Sequence, residues 1–123
     1  MFKFLLLTGL SISFLFSNEL NSTPYALVVK EIAKGKPVMI EVGSTRCYAC
    51  QEMGKLLYDR IHQKPESKIF FVDIGKEREA ANALKIQMIP TQIFYDAQGK
   101  EVERHIGGMS AEKLEALLFK HGI

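Results

Sequence analysis

The architecture of this chain can be inferred from residues 38–50, which are Val38-Met39-Ile40-Glu41-Val42-Gly43-Ser44-Thr45-Arg46-Cys47-Tyr48-Ala49-Cys50. The segment begins as a nearly continuous apolar run, which is typical of a central strand covered on both faces. A Gly-Ser-Thr turn follows, and apolar residues then recur at helical spacing from Met53 to Ile61. The only two cysteines of the chain therefore lie where a strand passes into a helix.

This position favours thiol chemistry at Cys47 and Cys50. A cysteine in the first turn of a helix experiences the positive end of the helix dipole and receives backbone N–H groups, which stabilise its thiolate. The second cysteine lies one turn further on, close enough to attack a mixed disulfide formed by the first. The C-x-x-C spacing thus predicts a dithiol that is reversibly oxidised.

The rest of the chain alternates between strand and helix patterns. A helix is expected to start at Thr23-Pro24, with Thr23 as the N-cap, and to end at Gly35. Alternation implies a parallel core joined by crossovers, whereas a tight turn makes the last two strands antiparallel. The predicted fold class is α/β, a small mixed sheet of about four strands with helices on both faces. The expected strands are 38–42, 69–73, 91–95 and 102–106, and the other expected helices are 47–62, 77–84 and a last helix capped by Ser110.

Residues 1–17 differ in composition from the remainder. Lys3 precedes an apolar run from Phe4 to Phe16, and the small Ser17 stands before a polar segment. This pattern indicates a secretory signal peptide, with residues 18–123 as the mature domain. The run is shorter than the roughly 20 residues that span a bilayer comfortably, although an uncleaved anchor is the alternative. We therefore expect an exported protein, periplasmic if the source is a bacterium with two membranes.

Composition limits the other classes of function. The 123 residues are 47% hydrophobic with a formal charge of +2, which suits one domain with a real core. No basic patch indicates binding to nucleic acid. No long exposed apolar helix suggests a dimer, so we expect a monomer. No metal site is expected, because His62, His105 and His121 show no paired ligand spacing. A static disulfide is the alternative for the cysteines, but so short a loop would gain little stability from it.

The order of elements, the strand-to-helix Cys47-Tyr48-Ala49-Cys50 and the later Met88-Ile89-Pro90-Thr91 resemble the thioredoxin family across residues 22–123. The C-terminal domain of membrane thiol:disulfide interchange proteins is one such relative. The resemblance implies a thioredoxin fold, with Cys47 as the exposed nucleophile and Cys50 as the buried resolving thiol. It implies no organic cofactor or metal.

The resemblance also assigns roles to residues outside the dithiol. Glu41 stands where thioredoxins carry a buried acid that relays protons to the second cysteine; the alternative is an ordinary strand acid that reaches an edge. Burial would raise the pKa of its carboxyl. Pro90 resembles the family's cis-proline, and the backbone of Ile89 would then bind an extended substrate. A simple proline at the start of a strand is the alternative.

Two positions depart from the family pattern. Arg46 replaces the usual Trp before the first cysteine, which adds charge beside the nucleophile and is expected to alter partner choice. Tyr48-Ala49 replaces Gly-Pro between the cysteines, and in the family this pair tunes the redox potential. We therefore include Arg46 and Tyr48 among the residues expected to contact partners.

The sequence thus predicts an exported thiol–disulfide oxidoreductase that acts on protein disulfides. The reducing direction is favoured, because the resemblance is to reducing members and Ile89 precedes the proline as in thioredoxins. A reductase outside the cytoplasm would need electrons from a membrane donor. Two alternatives are a dithiol oxidase that introduces disulfides and a non-catalytic binding module that keeps the fold.

Overall fold

The computed structural model describes residues 19–123, so the predicted signal peptide lies outside the described part of the chain. Four helices and four strands follow one another in this part. Within residues 19–123 no helix has both the length and the apolar character needed to cross a bilayer. The elements are α1 (Tyr25–Glu31), β1 (Val38–Gly43), α2 (Tyr48–Gln63), β2 (Ile69–Asp73), α3 (Arg78–Ala83), β3 (Thr91–Tyr95), β4 (Glu101–Ile106) and α4 (Ala111–Lys120).

The four strands form one mixed sheet, as predicted, and their order is β2-β1-β3-β4. β1 is parallel to β2, whereas β3 is antiparallel to both β1 and β4. The expected parallel core is therefore wrong for β3. α3 has six residues and spans only ~9 Å, about half the ~17 Å of a five-residue strand. The chain does not return to the far end of the sheet, so β3 starts beside the end of β1, with Thr91 opposite Val42.

The start of α1 also differs from the prediction. Pro24, not Thr23, is the N-cap residue, and its carbonyl accepts the N–H groups of Leu27 and Val28. Thr23 is engaged elsewhere, because its N–H donates to the carbonyl of Phe71 over 2.7 Å. Ser22 forms a parallel bridge to the same residue. The segment before α1 is thus tied to the free edge of β2.

Each face of the sheet carries its own apolar cluster. Alternate residues of β1 point to opposite faces, so Val38, Ile40 and Val42 join one cluster and Met39 joins the other. The first cluster, with α1 and α3, comprises Val28, Val38, Ile40, Val42, Val72, Ala80, Leu84 and Ile93. The second, with α2 and α4, comprises Met39, Leu57, Ile69, Phe94, Leu114, Leu117 and Leu118. By the same alternation Glu41 belongs to the face of Met39.

The last helix begins as predicted. The Oγ atom of Ser110 accepts the N–H of Lys113 over 3.2 Å, which satisfies one of the free donors of the first turn of α4. The C-terminus is held by Arg60, which is buried and whose Nη2 donates to the carbonyl of Ile123. The end of the chain after α4 is therefore tied to α2, and both helices pack on the face of the sheet that carries Glu41.

Candidate active site

Cys47 is the N-cap residue of α2, and Cys50 lies in the first turn of the same helix. The Cys47 Sγ atom accepts the backbone N–H of Cys50 over 3.3 Å. The turn before it is fixed by Gln51, whose side-chain amide donates to the carbonyl of Thr45 over 2.8 Å. The sulfur of Cys47 thus lies at the helix N-terminus, where backbone N–H groups and the helix dipole favour a thiolate.

The two thiols are free and differ in accessibility. Cys47 is half-buried, whereas Cys50 is 6% exposed. Burial raises the pKa of the Cys50 thiol to about 12, and its hydrogen bond with Cys47 acts in the same direction. Cys50 is therefore a protonated thiol at neutral pH and needs a proton acceptor before it can act as a nucleophile.

Glu41 lies inside the protein, in the middle of β1. Its side chain is 1% exposed, so the alternative of a strand acid that reaches an edge is wrong. Burial raises the pKa of the Glu41 carboxyl to about 8, although a hydrogen bond from Gln92 acts in the opposite direction. Glu41 can therefore exchange a proton near neutral pH.

Glu41 and Cys50 line one cavity of about 450 Å³. Phe71 and Gly54 form part of the same wall, and the charged, exposed side chains of Lys55 and Asp59 line it towards the surface. The negative charge of Glu41 contributes to the raised pKa of Cys50, so the two groups interact electrostatically. A carboxyl and a thiol that share a cavity can exchange a proton directly or through water.

Ile89 and Pro90 lie at the same end of the sheet as the dithiol, because Thr91 pairs with Val42 just before the turn that leads to Cys47. The Ile89–Pro90 peptide bond is cis. The carbonyl of Pro90 accepts the N–H of Gly107 over 2.8 Å. Within residues 19–123, however, no hydrogen bond uses the backbone N–H or carbonyl of Ile89. This backbone can still pair with another chain.

Arg46 and Tyr48 flank Cys47 at the surface. Tyr48 is 75% exposed and lines a shallow groove with Met53, Gly108 and Met109. The Arg46 side chain is exposed and makes no ion pair within the described range. Both side chains are therefore accessible to a molecule that approaches the sulfur of Cys47.

Two further polar residues, Gln92 and His105, lie in this region, and the sequence predicts no role for them in the site. Gln92 is fully buried, and its Nε2 atom donates to both carboxyl oxygens of Glu41 over 3.2 and 3.1 Å. His105 Nδ1 lies 2.7 Å from Gln92 Oε1. A signal existed, since Gln92 interrupts an apolar strand just as Glu41 does. Their contact depends on the β1–β3 register, which spacing along the chain does not specify.

The described residues offer little to a metal ion. Among residues 19–123, no group of three or more His, Cys, Asp or Glu side chains is arranged to hold one. Each described cysteine instead faces backbone N–H groups, the other cysteine or the Glu41 cavity. These surroundings suit thiol chemistry at the two cysteines.

Comparison with known proteins gives a consistent result. The family model described as a thioredoxin-like domain matches residues 25–122. Thiol:disulfide interchange protein DsbD from Pectobacterium atrosepticum is 36% identical over 117 residues, which cover 85% of this chain and 20% of that protein. The chain thus spans about a fifth of the length of that relative.

Two smaller proteins match over most of their own length. Thioredoxin from Chlamydia trachomatis is 31% identical over 84 residues, which cover 68% of this chain and 81% of that protein. The X-ray structure of Fasciola hepatica thioredoxin superimposes with a TM-score of 0.68 at 25% identity, covering 79% of this chain and 90% of that one. The predicted thioredoxin fold is confirmed. The chain belongs to the thioredoxin-like domain family, and Cys47 and Cys50 form its C-x-x-C pair at the start of α2.

Proposed function

We propose that this protein is an exported reductase that transfers electrons from Cys47 and Cys50 to disulfides of partner proteins. The observation that carries the proposal is the asymmetry of the pair. Cys47 is accessible at a helix N-terminus, whereas Cys50 is buried and its thiol pKa is raised. An oxidising dithiol is one whose reduced form is strongly stabilised, for instance as a thiolate. Cys50 is a neutral thiol at neutral pH and supplies no such thiolate, and Ile89 before Pro90 resembles the reducing members of the family, so we favour the reducing direction.

The reaction begins when the Cys47 thiolate attacks one sulfur of a partner disulfide. A Cys47–partner disulfide forms, the partner S–S bond breaks, and the other partner sulfur leaves as a thiolate that takes a proton from solvent. Cys50 then transfers its proton to the Glu41 carboxylate and attacks Cys47 Sγ. The Cys47–Cys50 disulfide forms, and the second partner sulfur leaves. Two electrons pass to the partner, and Glu41 holds the proton until solvent removes it.

The partner chain binds beside the dithiol in this proposal. The unpaired backbone groups of Ile89 would hydrogen-bond to an extended segment, with Pro90 fixing the position of Ile89. Arg46 and Tyr48 are exposed on either side of Cys47 in the chain, where they would contact the residues next to the partner cysteine. These side chains would select partners, since charge and an aromatic ring stand beside the reacting sulfur.

Export is inferred from residues 1–17 and supplies a direct measurement. The intact mass of the protein isolated from the producing cell is expected to lack these residues, leaving a chain that starts at Asn18. A full-length mass in a membrane fraction would show an uncleaved anchor instead. An exported reductase also needs electrons from outside its own compartment, for which we propose a dithiol donor in the membrane.

The activity is tested by reduction of insulin disulfides with dithiothreitol as the electron source. Cys47→Ser is expected to abolish the catalysed rate, because no thiolate remains to attack. Cys50→Ser is expected to accumulate a mixed disulfide with insulin, visible as a reducible band on an electrophoresis gel. Asn82→Ala, at an exposed position of α3, is the control and should retain the full rate. Full activity of Cys47→Ser would overturn the assignment.

The direction is tested by the reduction potential of the pair, measured by equilibration against thiol redox buffers. A value near the ~−270 mV of thioredoxin would support a reductase. A value near ~−120 mV would make the protein an oxidant for folding chains. Two inert thiols in the native protein would instead favour the non-catalytic binding module.

A further inference from the structure

Three residues on neighbouring strands form a continuous hydrogen-bonded row across the sheet. Glu41 of β1 is directly opposite Gln92 of β3, which is directly opposite His105 of β4. Two hydrogen bonds join Glu41 to Gln92 and one joins Gln92 to His105. The row leads from the cavity beside Cys50 to the outermost strand.

The chemistry of the three groups determines how the hydrogen atoms are arranged. An ionised carboxylate only accepts, so both Glu41 oxygens require the N–H donors of the Gln92 amide. The amide oxygen therefore faces His105, and it too can only accept. The Nδ1 atom of His105 must then carry a hydrogen. A neutral His105 is restricted to the Nδ1–H tautomer.

The orientation of the Gln92 amide therefore depends on His105. If the amide turned by 180°, its oxygen would face the Glu41 oxygens and the ionised carboxylate would lose both donors. Gln92 is fully buried, so solvent cannot replace them. The donor on His105 disfavours the turned orientation, because it would then face an NH₂ group.

Few other charged groups act on this row. Around Glu41 these are Cys50 of α2 and, along the cavity, Glu19, Lys55 and Asp59. Around His105, burial and Lys113 of α4 lower the pKa of the imidazole, whereas the Gly107 backbone and Glu103 of β4 raise it. The balance is a lowered pKa, so His105 is mostly neutral at pH 7 and its tautomer matters.

We propose that Gln92 and His105 are positioning residues for the dithiol reaction, which orient Glu41 so that its carboxylate can accept the proton of Cys50. The inference rests on the proposed role of Glu41 in the second step. Gln92 acts by donating to the carboxylate, and His105 acts by fixing the orientation of that amide. Together they determine the pH at which Glu41 becomes available as a base.

The first test needs no substitution. Nitrogen NMR of the native, reduced protein distinguishes the two neutral tautomers of a histidine ring. His105 is expected to be the Nδ1–H tautomer above pH 8, where both the imidazole is neutral and Glu41 is ionised. A dominant Nε2–H tautomer in this pH range would overturn the proposal, because Nδ1 would then face the Gln92 oxygen without a hydrogen.

The second test follows the Glu41 carboxyl by carbon NMR during a pH titration. Gln92→Met keeps the volume but removes both donors, so the midpoint is expected to rise by about one to two pH units. His105→Val should raise it by a smaller amount, whereas His105→Asn keeps an N–H donor close to the position of Nδ1 and should restore the native midpoint. Phe94→Leu is the control, since it removes core volume from the same strand and face without touching the row.

The same variants are then compared in the pH dependence of insulin reduction. The rise of rate with pH is expected to shift upwards in Gln92→Met by the shift seen in the Glu41 titration, and to stay in place in Phe94→Leu. An unshifted titration and rate profile in Gln92→Met would refute the positioning role. If Glu41→Gln itself leaves the profile unchanged, then the proposed role of Glu41 fails. A shift in Glu41→Gln without one in Gln92→Met overturns only the present inference.

Discussion

The two faces of the sheet are built from the same strands but differ in the side chains that they bury. The face under α1 and α3 buries mainly apolar side chains, with Thr91 as a buried polar exception, and β1 contributes Val38, Ile40 and Val42 to it. The face under α2 and α4 has an equally buried apolar part around Met39 and Phe94. Beside that part lies the polar row, Glu41, Gln92 and His105, which crosses three strands at the level of the dithiol.

The difference shows that the cost of burying the carboxyl groups of the sheet, those of Glu41 and Asp73, is confined to one face. The α1/α3 face contributes apolar packing, worth roughly 25 cal/mol for each Å² removed from water. The row contributes little to folding, because a buried carboxyl loses its hydration and recovers only part of it through hydrogen bonds. The position of the row beside Cys50 is explained by the proposed transfer of a proton from Cys50 to Glu41. Substitutions on the two faces should therefore have opposite consequences.

The largest effect is expected for a polar group placed on the apolar face. Ile40→Gln puts an amide without partners at a fully buried position, which should lower the free energy of unfolding by about 3–5 kcal/mol. Urea denaturation measures the loss, and Ile40→Val, with a loss of about 1 kcal/mol, is the control for volume. A loss below that of the Val variant would mean that the two faces do not differ as described.

The opposite result is expected for Glu41→Gln, and it depends on pH. Burial raises the pKa of Glu41 from 4.5 to about 8. The folded state therefore holds a proton that the unfolded state has released, and stability falls as pH rises between these values. The slope for one group is about 1.4 kcal/mol per pH unit, so Glu41→Gln should gain about 3 kcal/mol over the native protein at pH 7.

Denaturation of the reduced native protein and of Glu41→Gln from pH 4 to pH 9 gives the required comparison. The two proteins should have nearly the same stability at pH 4 and diverge up to pH 8, with no further divergence above it. A constant difference at all pH values would contradict the raised pKa of Glu41.

A smaller effect is expected where β1 contacts the resolving cysteine. A Cβ atom at Gly43 would lie 2.9 Å from Cys50 Sγ and 3.2 Å from Cys50 Cβ. Gly43→Ala should displace the thiol and lower the free energy of unfolding by about 1–3 kcal/mol. The rate at which a Cys47 mixed disulfide resolves should fall as well. A variant with native stability and native resolution would show that Cys50 can move freely at this point.

The smallest effect is a gain of stability at Gly54, which lines the cavity shared by Glu41 and Cys50. Gly54 lies within α2, and a Cβ atom there meets nothing within 4 Å. Gly54→Ala should raise the free energy of unfolding by about 0.5–1 kcal/mol through helix propensity alone. Urea denaturation measures it, and insulin reduction should stay at the native rate. A loss of stability would indicate that the cavity is smaller at α2 than described.

Much of the fold could be predicted from the sequence, because the patterns that specify it lie within short segments of the chain. The strands, the helix after Cys47 and the cap at Ser110 follow from residues close together in the chain. The direction of β3 could not be predicted from alternation alone, since it depends on how little distance α3 spans. The predicted N-cap of α1, Thr23, is wrong because the N–H of Thr23 bonds to Phe71, which is far away in sequence. The contacts of Gln92 and His105 could not be predicted for the same reason, because only the register of three strands brings these residues to Glu41.

The bridge between Ser22 and Phe71 has a consequence for self-association. A free sheet edge is a template for pairing with another chain, and at β2 the protein's own segment occupies part of that edge. At the opposite edge, β4 carries Glu101, Glu103 and Arg104, and its register against β3 shifts near Tyr95. Charges and an irregular register both discourage strand addition. Both edges of the sheet are therefore protected against pairing with a strand of another chain.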